Sequence, residues 1–141
     1  MKRNLILALV VVTALLAGGT ALAKDILCKG GPCVGTNKAD SITVSFGGAA
    51  DQIVGRRGDD NINPGAGDDE VRGGGGADII RDNTNDGDVD TIFGGKGNDF
   101  IDVREFRPDD EPDFVDCGPG TDTVFVDPTD THFNCEIVNP N

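Results

Sequence analysis

The sequence predicts an all-β repeat fold, and three observations carry that prediction. First, a nine-residue unit recurs along the chain. It is clearest in GRRGDDNIN (55–63), PGAGDDEVR (64–72), GGGGADIIR (73–81), GGKGNDFID (94–102) and CGPGTDTVF (117–125). Self-similarity at a fixed short period means stacked units, each contacting its neighbours, rather than one globular core. Second, each unit sets an Asp at its sixth position and an aliphatic two places later. The acids are Asp40, Asp51, Asp60, Asp69, Asp78, Asp90, Asp99, Asp113 and Asp122, spaced by 11, 9, 9, 9, 12, 9, 14 and 9. Their partners are Ile42, Ile53, Ile62, Val71, Ile80, Ile92, Ile101, Val115 and Val124. All are β-branched, the class whose stiff side chains suit a strand. Third, no stretch after residue 23 has helical periodicity, and the 21 glycines of the chain disfavour helix.

The elements follow in order. Residues 1–23 have the form of a secretory signal peptide. Lys2 and Arg3 make the charged end, Leu5 to Leu16 is apolar apart from Thr13, and Ala21-Leu22-Ala23 is an A-x-A cleavage site. A membrane anchor fits less well, because the apolar run is short of a full span. Lipidation fits less well too, since Cys28 follows Asp25-Ile26-Leu27 instead of small residues. Residues 24–34 are expected to form an N-terminal cap closed by the CKGGPC turn. Residues 35–125 hold the repeats, and 126–141 depart from the period as a C-terminal cap. Strands should be about three residues long and centred on the nine aliphatics.

Charge narrows the partners. The chain has 25 acids against 12 Lys and Arg, a formal charge of −13. Cleavage after Ala23 would leave 118 residues with 10 basic side chains and a formal charge of −15. Such a surface repels nucleic acid and anionic membranes and attracts divalent cations. Twenty-one of the acids are Asp, the short carboxylate that suits tight loops and metal cages. There is no Trp or Tyr and one His, which argues against an aromatic-lined ligand pocket.

The nonapeptide, read as GGxGxDxUx with U a large aliphatic, resembles the haemolysin-type calcium-binding repeat of the RTX, or repeats-in-toxin, proteins. The resemblance covers about residues 35–125. It implies a parallel β-roll, a β-solenoid of about nine nonapeptide half-coils between short N- and C-terminal caps. It implies that two repeats make one coil, with several Ca²⁺ ions in the loops along its edges. It further implies a secreted bacterial calcium-binding protein that folds on export. An alternative is a cell-surface or matrix adhesion module that uses the calcium-stabilised roll as scaffold.

The residues support calcium on their own terms. Ca²⁺ takes six to eight hard oxygen ligands in a forgiving geometry. Gly-rich loops can turn their carbonyls inward, and the Asp adds a carboxylate. One loop cannot fill the shell, so loops n and n+2, stacked one coil apart, should share an ion. Nine aliphatics make a thin core under a strong negative charge. Metal and disulfides must therefore help to hold the fold. Without Ca²⁺ a disordered Gly/Asp-rich chain is expected. About five to seven divalent ions would nearly neutralise the chain.

Loop sharing sorts the repeats into two edges. The odd loops are GTNKAD, GRRGDD, GGGGAD, GGKGND and CGPGTD, and four of the five have Gly at position four. The even loops are FGGAAD, PGAGDD, NDGDVD and PDDEPD, of which one has Gly there. Three insertions, at 44–45, 82–84 and 103–107, all precede even loops. The better ladder is therefore expected on the odd edge, with its best sites between Asp60 and Asp78, Asp78 and Asp99, and Asp99 and Asp122. The candidate ligands are Asp51, Asp60, Asp69, Asp78, Asp90, Asp99 and Asp122, with Gly55, Gly58, Gly73, Gly76, Gly94, Gly97 and Gly120 shaping the loops. The eighth loop, around Asp113, has no Gly and departs from the pattern. Residues 82–90 carry alternating oxygen side chains and a Gly at the sixth place, like the start of an EF-hand loop. Asp82, Asp86 and Asp88 are candidate ligands of an extra ion there.

Four cysteines in an exported chain suggest two disulfides, with three possible pairings. In the roll that the resemblance implies, nine half-coils span roughly 20 Å. Cys28–Cys33 and Cys117–Cys135 are then favoured, because the other pairings would bridge opposite ends. A zinc site is the rival, but C-x4-C with C-x17-C is an unusual zinc spacing.

No enzyme is expected. HExxH, GxSxG and GxxxxGK[ST] are all missing, and His132 has no evident nucleophile beside it. An ice-binding array would need regular outward Thr or Asn, and the outward positions are mixed. The sequence further predicts a complete chain and a monomer, with no membrane span after signal cleavage, located outside the cell or at its surface. It names no protein or glycan partner.

Overall fold

The computed structural model describes residues 24–29, 31–44, 47–82, 84, 87–105 and 111–140. The expected signal peptide, 1–23, and Asp86 lie outside these. The described residues form thirteen strands and no helix. No helix among them is long and apolar enough to cross a membrane.

The strands alternate between two facing sheets, and every pairing is parallel. One sheet runs in the order β1 (Lys24–Cys28), β3 (Asp40–Val44), β5 (Asn61–Asn63), β7 (Ile79–Arg81), β9 (Phe100–Asp102), β11 (Thr123–Val126) and β13 (Ile137–Pro140). The other runs β2 (Cys33–Val34), β4 (Gln52–Arg57), β6 (Glu70–Gly75), β8 (Thr91–Lys96), β10 (Phe114–Asp116) and β12 (Thr131–Phe133). Odd repeats feed the first sheet and even repeats the second. Strands adjacent in space are thus two apart in sequence, as a coil of two nonapeptides requires.

The register follows the aliphatics. Ile26, Ile42, Ile62, Ile80, Ile101, Val124 and Val138 stack in one column. Cys33, Ile53, Val71, Ile92, Val115 and His132 stack in the facing one. All nine repeat aliphatics have no solvent exposure. Strand alternation turns the residues on either side of each aliphatic outward. There Arg72 lies over the Phe93 ring, Arg81 over Phe100 and Arg104 over Phe125, at 4.4–4.9 Å. These Arg–aromatic stacks cover the thin layer from outside with cation–π contacts.

Two features differ from the reading of the sequence. Strands β4, β6 and β8 are six residues long, not three, because pairing continues into the odd loops. Arg56 pairs with Gly74, and Gly74 with Gly95. All three have positive φ, so the chain bends there without losing its partner. The segments expected as caps also contribute strands: β1 and β2 open the two sheets, and β12 and β13 extend them. The disulfides join Cys28 to Cys33 and Cys117 to Cys135, with Cα separations of 5.9 and 5.2 Å.

Candidate metal centre

Each sixth-position Asp ends its loop at the start of a strand or one residue before it, and its side chain is turned into the roll beside the loop. All nine are buried. They form two ladders. On the odd edge the amide of Asp40 donates to Oδ1 of Asp60, Asp60 to Asp78, Asp78 to Asp99, and Asp99 to Asp122, at 2.7–2.9 Å. On the even edge Asp51 donates to Asp69, Asp69 to Asp90, and Asp90 to Asp113, at 2.8–2.9 Å. Glu136 and Asp130 end the ladders by accepting from Asp122 and Asp113. Each carboxylate thus supports the fold by satisfying an amide that the turn leaves without a strand partner.

That hydrogen bond uses only one oxygen. Oδ2 of Asp51, Asp60, Asp69, Asp78, Asp90, Asp99 and Asp122 is buried and accepts no hydrogen bond. Asp40 differs, because its Oδ2 accepts from the Thr36 amide at 2.5 Å. Asp113 has no such orphaned oxygen. Seven buried carboxylate oxygens with no donor are an unstable arrangement unless a proton or a metal cation completes it.

The odd loops add backbone oxygens. A Cβ on Gly55 would collide with Oδ2 of Asp60 and the carbonyl of Gly73. A Cβ on Gly73 would meet Oδ2 of Asp78 and the Gly94 carbonyl, and one on Gly94 would meet Oδ2 of Asp99 and the Cys117 carbonyl. Each first-position glycine therefore leaves room where a carboxylate of its own loop and a carbonyl of the loop one coil on converge. The fourth-position glycines serve the stacking itself. Gly76 lies against the Gly58 carbonyl, Gly97 against that of Gly76, and Gly120 against that of Gly97. This oxygen set suits a hard divalent cation such as Ca²⁺.

Residues 47–80 and 84–104 match the family model described as the RTX calcium-binding nonapeptide repeat, in four copies. These are RTX calcium-binding nonapeptide repeats. No curated protein and no solved structure matches the chain.

Burial sets the electrostatics of the loops. It pushes the Asp60 and Asp99 carboxyls up to about 6, and those of Asp69, Asp78 and Asp113 to about 7. Asp90 rises to about 9 through burial, with Asp82, Asp113 and Asp88 adding repulsion. The ladder hydrogen bonds pull the other way and are outweighed.

Two features of the RTX array were not legible in the sequence. The fifth position forms a further ladder: Asp59 accepts from the Ala77 amide, Asp68 from Val89 and Asn98 from Thr121, at 2.8–3.0 Å. The recurring acid or amide before the sixth-position Asp was its only signal. The second feature is on the even edge. Carboxylate oxygens of Asp82, Asp88 and Glu105 lie within 4.8 Å of one another. Glu105 comes from the third insertion, one coil beyond Asp82, and no spacing rule pointed to it. An open groove of about 550 Å³ runs along this edge beside Asp51, Asp68, Asp69 and Val89.

Proposed function

We propose that this chain is an exported calcium-binding protein whose roll is completed by Ca²⁺ after it leaves the cell. The carrying observation is the set of seven buried Oδ2 atoms without donors. Asp51, Asp60, Asp69, Asp78, Asp90, Asp99 and Asp122 would hold the ions together with carbonyls of the loops one coil on. Bound Ca²⁺ would supply the positive charge that lets these carboxylates ionise inside the roll. The protein's own part is to stack the loops in register so that oxygens from two coils meet. A further ion is assigned to Asp82 and Asp88, with Glu105 as the third carboxylate. The mixed acids and RTX loops support binding, and no catalytic role is assigned to them.

Circular dichroism during a Ca²⁺ titration of the reduced protein tests this reading. β-structure should appear cooperatively at ~0.1–1 mM Ca²⁺, the range of extracellular modules, and Mg²⁺ should be much weaker because it resists dehydration. A β-sheet spectrum that chelator leaves unchanged would overturn it. The adhesion reading would use the even-edge groove, and binding of the folded protein to whole cells or glycans would distinguish it.

A further inference from the structure

We propose that folded copies of this chain associate head to tail, the C-terminal coil of one docking on the N-terminal coil of the next. Four observations meet at the two ends.

The terminal strands are open. Strand β1 pairs only with β3, β2 with β4, β12 with β10 and β13 with β11 among the described residues. Each end therefore presents the edges of two parallel sheets, with unpaired backbone groups that favour a further strand. Every strand of a sheet points the same way. The C-terminal edge of one copy thus has the polarity that β1 and β2 of a second copy require.

Exposed apolar side chains concentrate at these edges. Leu27 on β1 is 58% exposed, Val34 on β2 42%, Phe133 on β12 50% and Ile137 on β13 48%. Of the large hydrophobics exposed among the described residues, only Val89 lies elsewhere.

The columns then give a register. In the aliphatic columns Val138 would precede Ile26 of the next copy, and His132 would precede Cys33. That register sets Phe133 against Val34, so the exposed side chains of the second sheet cover each other. Cross-strand aromatic and β-branched pairs of this kind stabilise a sheet.

Charge agrees with the register. Lys24 pairs with Asp40, so it occupies the sixth-position column at the N-terminal end. Glu136 holds that column at the C-terminal end, where it accepts from the Asp122 amide. Stacking places Lys24 of one copy next to Glu136 of the other. The N-terminal coil carries Lys24 and Lys29 against Asp25, and the C-terminal coil carries Asp127, Asp130 and Glu136. Pro140 lacks an amide at the end of β13, which leaves Val138 as the outward donor of that strand. Because the two surfaces differ, the contact is heterologous, and because it continues the stacking direction of the coils it extends as an open chain.

Sedimentation of the protein recovered after export, in saturating Ca²⁺, tests the proposal, with circular dichroism to verify that the roll is folded. The mean mass of the wild type should rise with concentration, through elongated species beyond the dimer. Val34→Glu spoils one end and Phe133→Glu the other, and the two carboxylates repel where the spoiled ends would meet. Both side chains are exposed, so each variant should fold and remain monomeric. An equimolar mixture of the two should give dimers and nothing larger, because one sound head meets one sound tail. A folded wild type that stays monomeric or stops at a dimer would overturn the proposal. So would single variants that assemble like the wild type, or a mixture without dimers. Loss of β-structure in Ca²⁺ would instead count against the calcium reading on which the folded ends rest.

Discussion

The amide of Asp78 donates to Oδ1 of Asp99, 2.9 Å away and 21 residues on. Asp78 in turn accepts from the Asp60 amide at 2.8 Å. One residue therefore joins three coils, while its Oδ2 stays buried and without a donor. The two oxygens have different roles and can be separated by substitution.

Asp78→Asn keeps an oxygen for the Asp60 amide and removes the charge. It should reduce the number of Ca²⁺ ions bound while leaving the calcium-loaded ladder in place. Asp78→Ala should cost a further ~1–3 kcal/mol, the scale of leaving the buried Asp60 amide without an acceptor. Asp113→Ala should lower stability through the lost Asp90 bond but cost less calcium, since Asp113 lacks an orphaned oxygen. Calorimetric stoichiometries that are equal for Asp78→Asn and Asp113→Ala would refute the assignment.

The pH dependence has a definite sign. Burial raises the folded-state pKa of Asp60, Asp69, Asp78, Asp99 and Asp113 from 3.8 to about 6–7. Raised values favour the protonated fold. Their contribution is fully present below about pH 4 and is lost as pH rises through 6–7. The metal-free chain should therefore show more β-structure near pH 4 than at pH 8. Calcium competes with those protons, so the Ca²⁺ affinity of the folded roll should be lower at pH 5 than at pH 8. Circular dichroism in chelator reads the first and calorimetric Ca²⁺ titration the second, and a flat profile in either series contradicts the burial argument.

Two glycines of one loop should respond differently. Gly73→Ala puts a methyl group into Oδ2 of Asp78 and the Gly94 carbonyl, and should cost about 1–3 kcal/mol by overpacking. The added methyl would also occupy the space where those oxygens converge, so calcium affinity should fall. Gly75→Ala meets nothing closer than 3.9 Å and needs no positive φ. It should be nearly neutral. Comparable losses in urea denaturation of the calcium-loaded variants would show that the first-position cradle does not matter.

The Cys117–Cys135 bond closes a loop with a sequence separation of 18. The chain-entropy estimate gives it roughly 3 kcal/mol. It ties the last coil to Cys117, whose own amide donates to the Phe133 carbonyl at 3.0 Å. In the Cys117→Ser/Cys135→Ser variant, amides of 131–140 should lose hydrogen-exchange protection while those of 52–81 keep it. Uniform loss across the chain would mean that the roll melts as one unit.

The repeating part of this protein is written in its sequence. A strict interval between Asp and Ile or Val forces the same side chain to the same place in every coil. The nine buried aliphatics and the recurring sixth-position acids could therefore be read from nine-residue arithmetic, and the resemblance to a known repeat family implied the two-repeat coil of parallel strands. The odd and even loops separated by the same arithmetic. Contacts between coils are another matter, because their partners are about twenty residues apart and no local preference records them. Stacking sent Oδ1 of each Asp to an amide and left Oδ2 for a cation. It ran β4, β6 and β8 on into the odd loops. It brought Glu105 from one insertion to Asp82 of another. It also turned the irregular flanks into strands with open edges. Periodicity dictates which face a residue takes, because strand geometry is local. Which oxygen meets which donor depends on how one coil settles on the next.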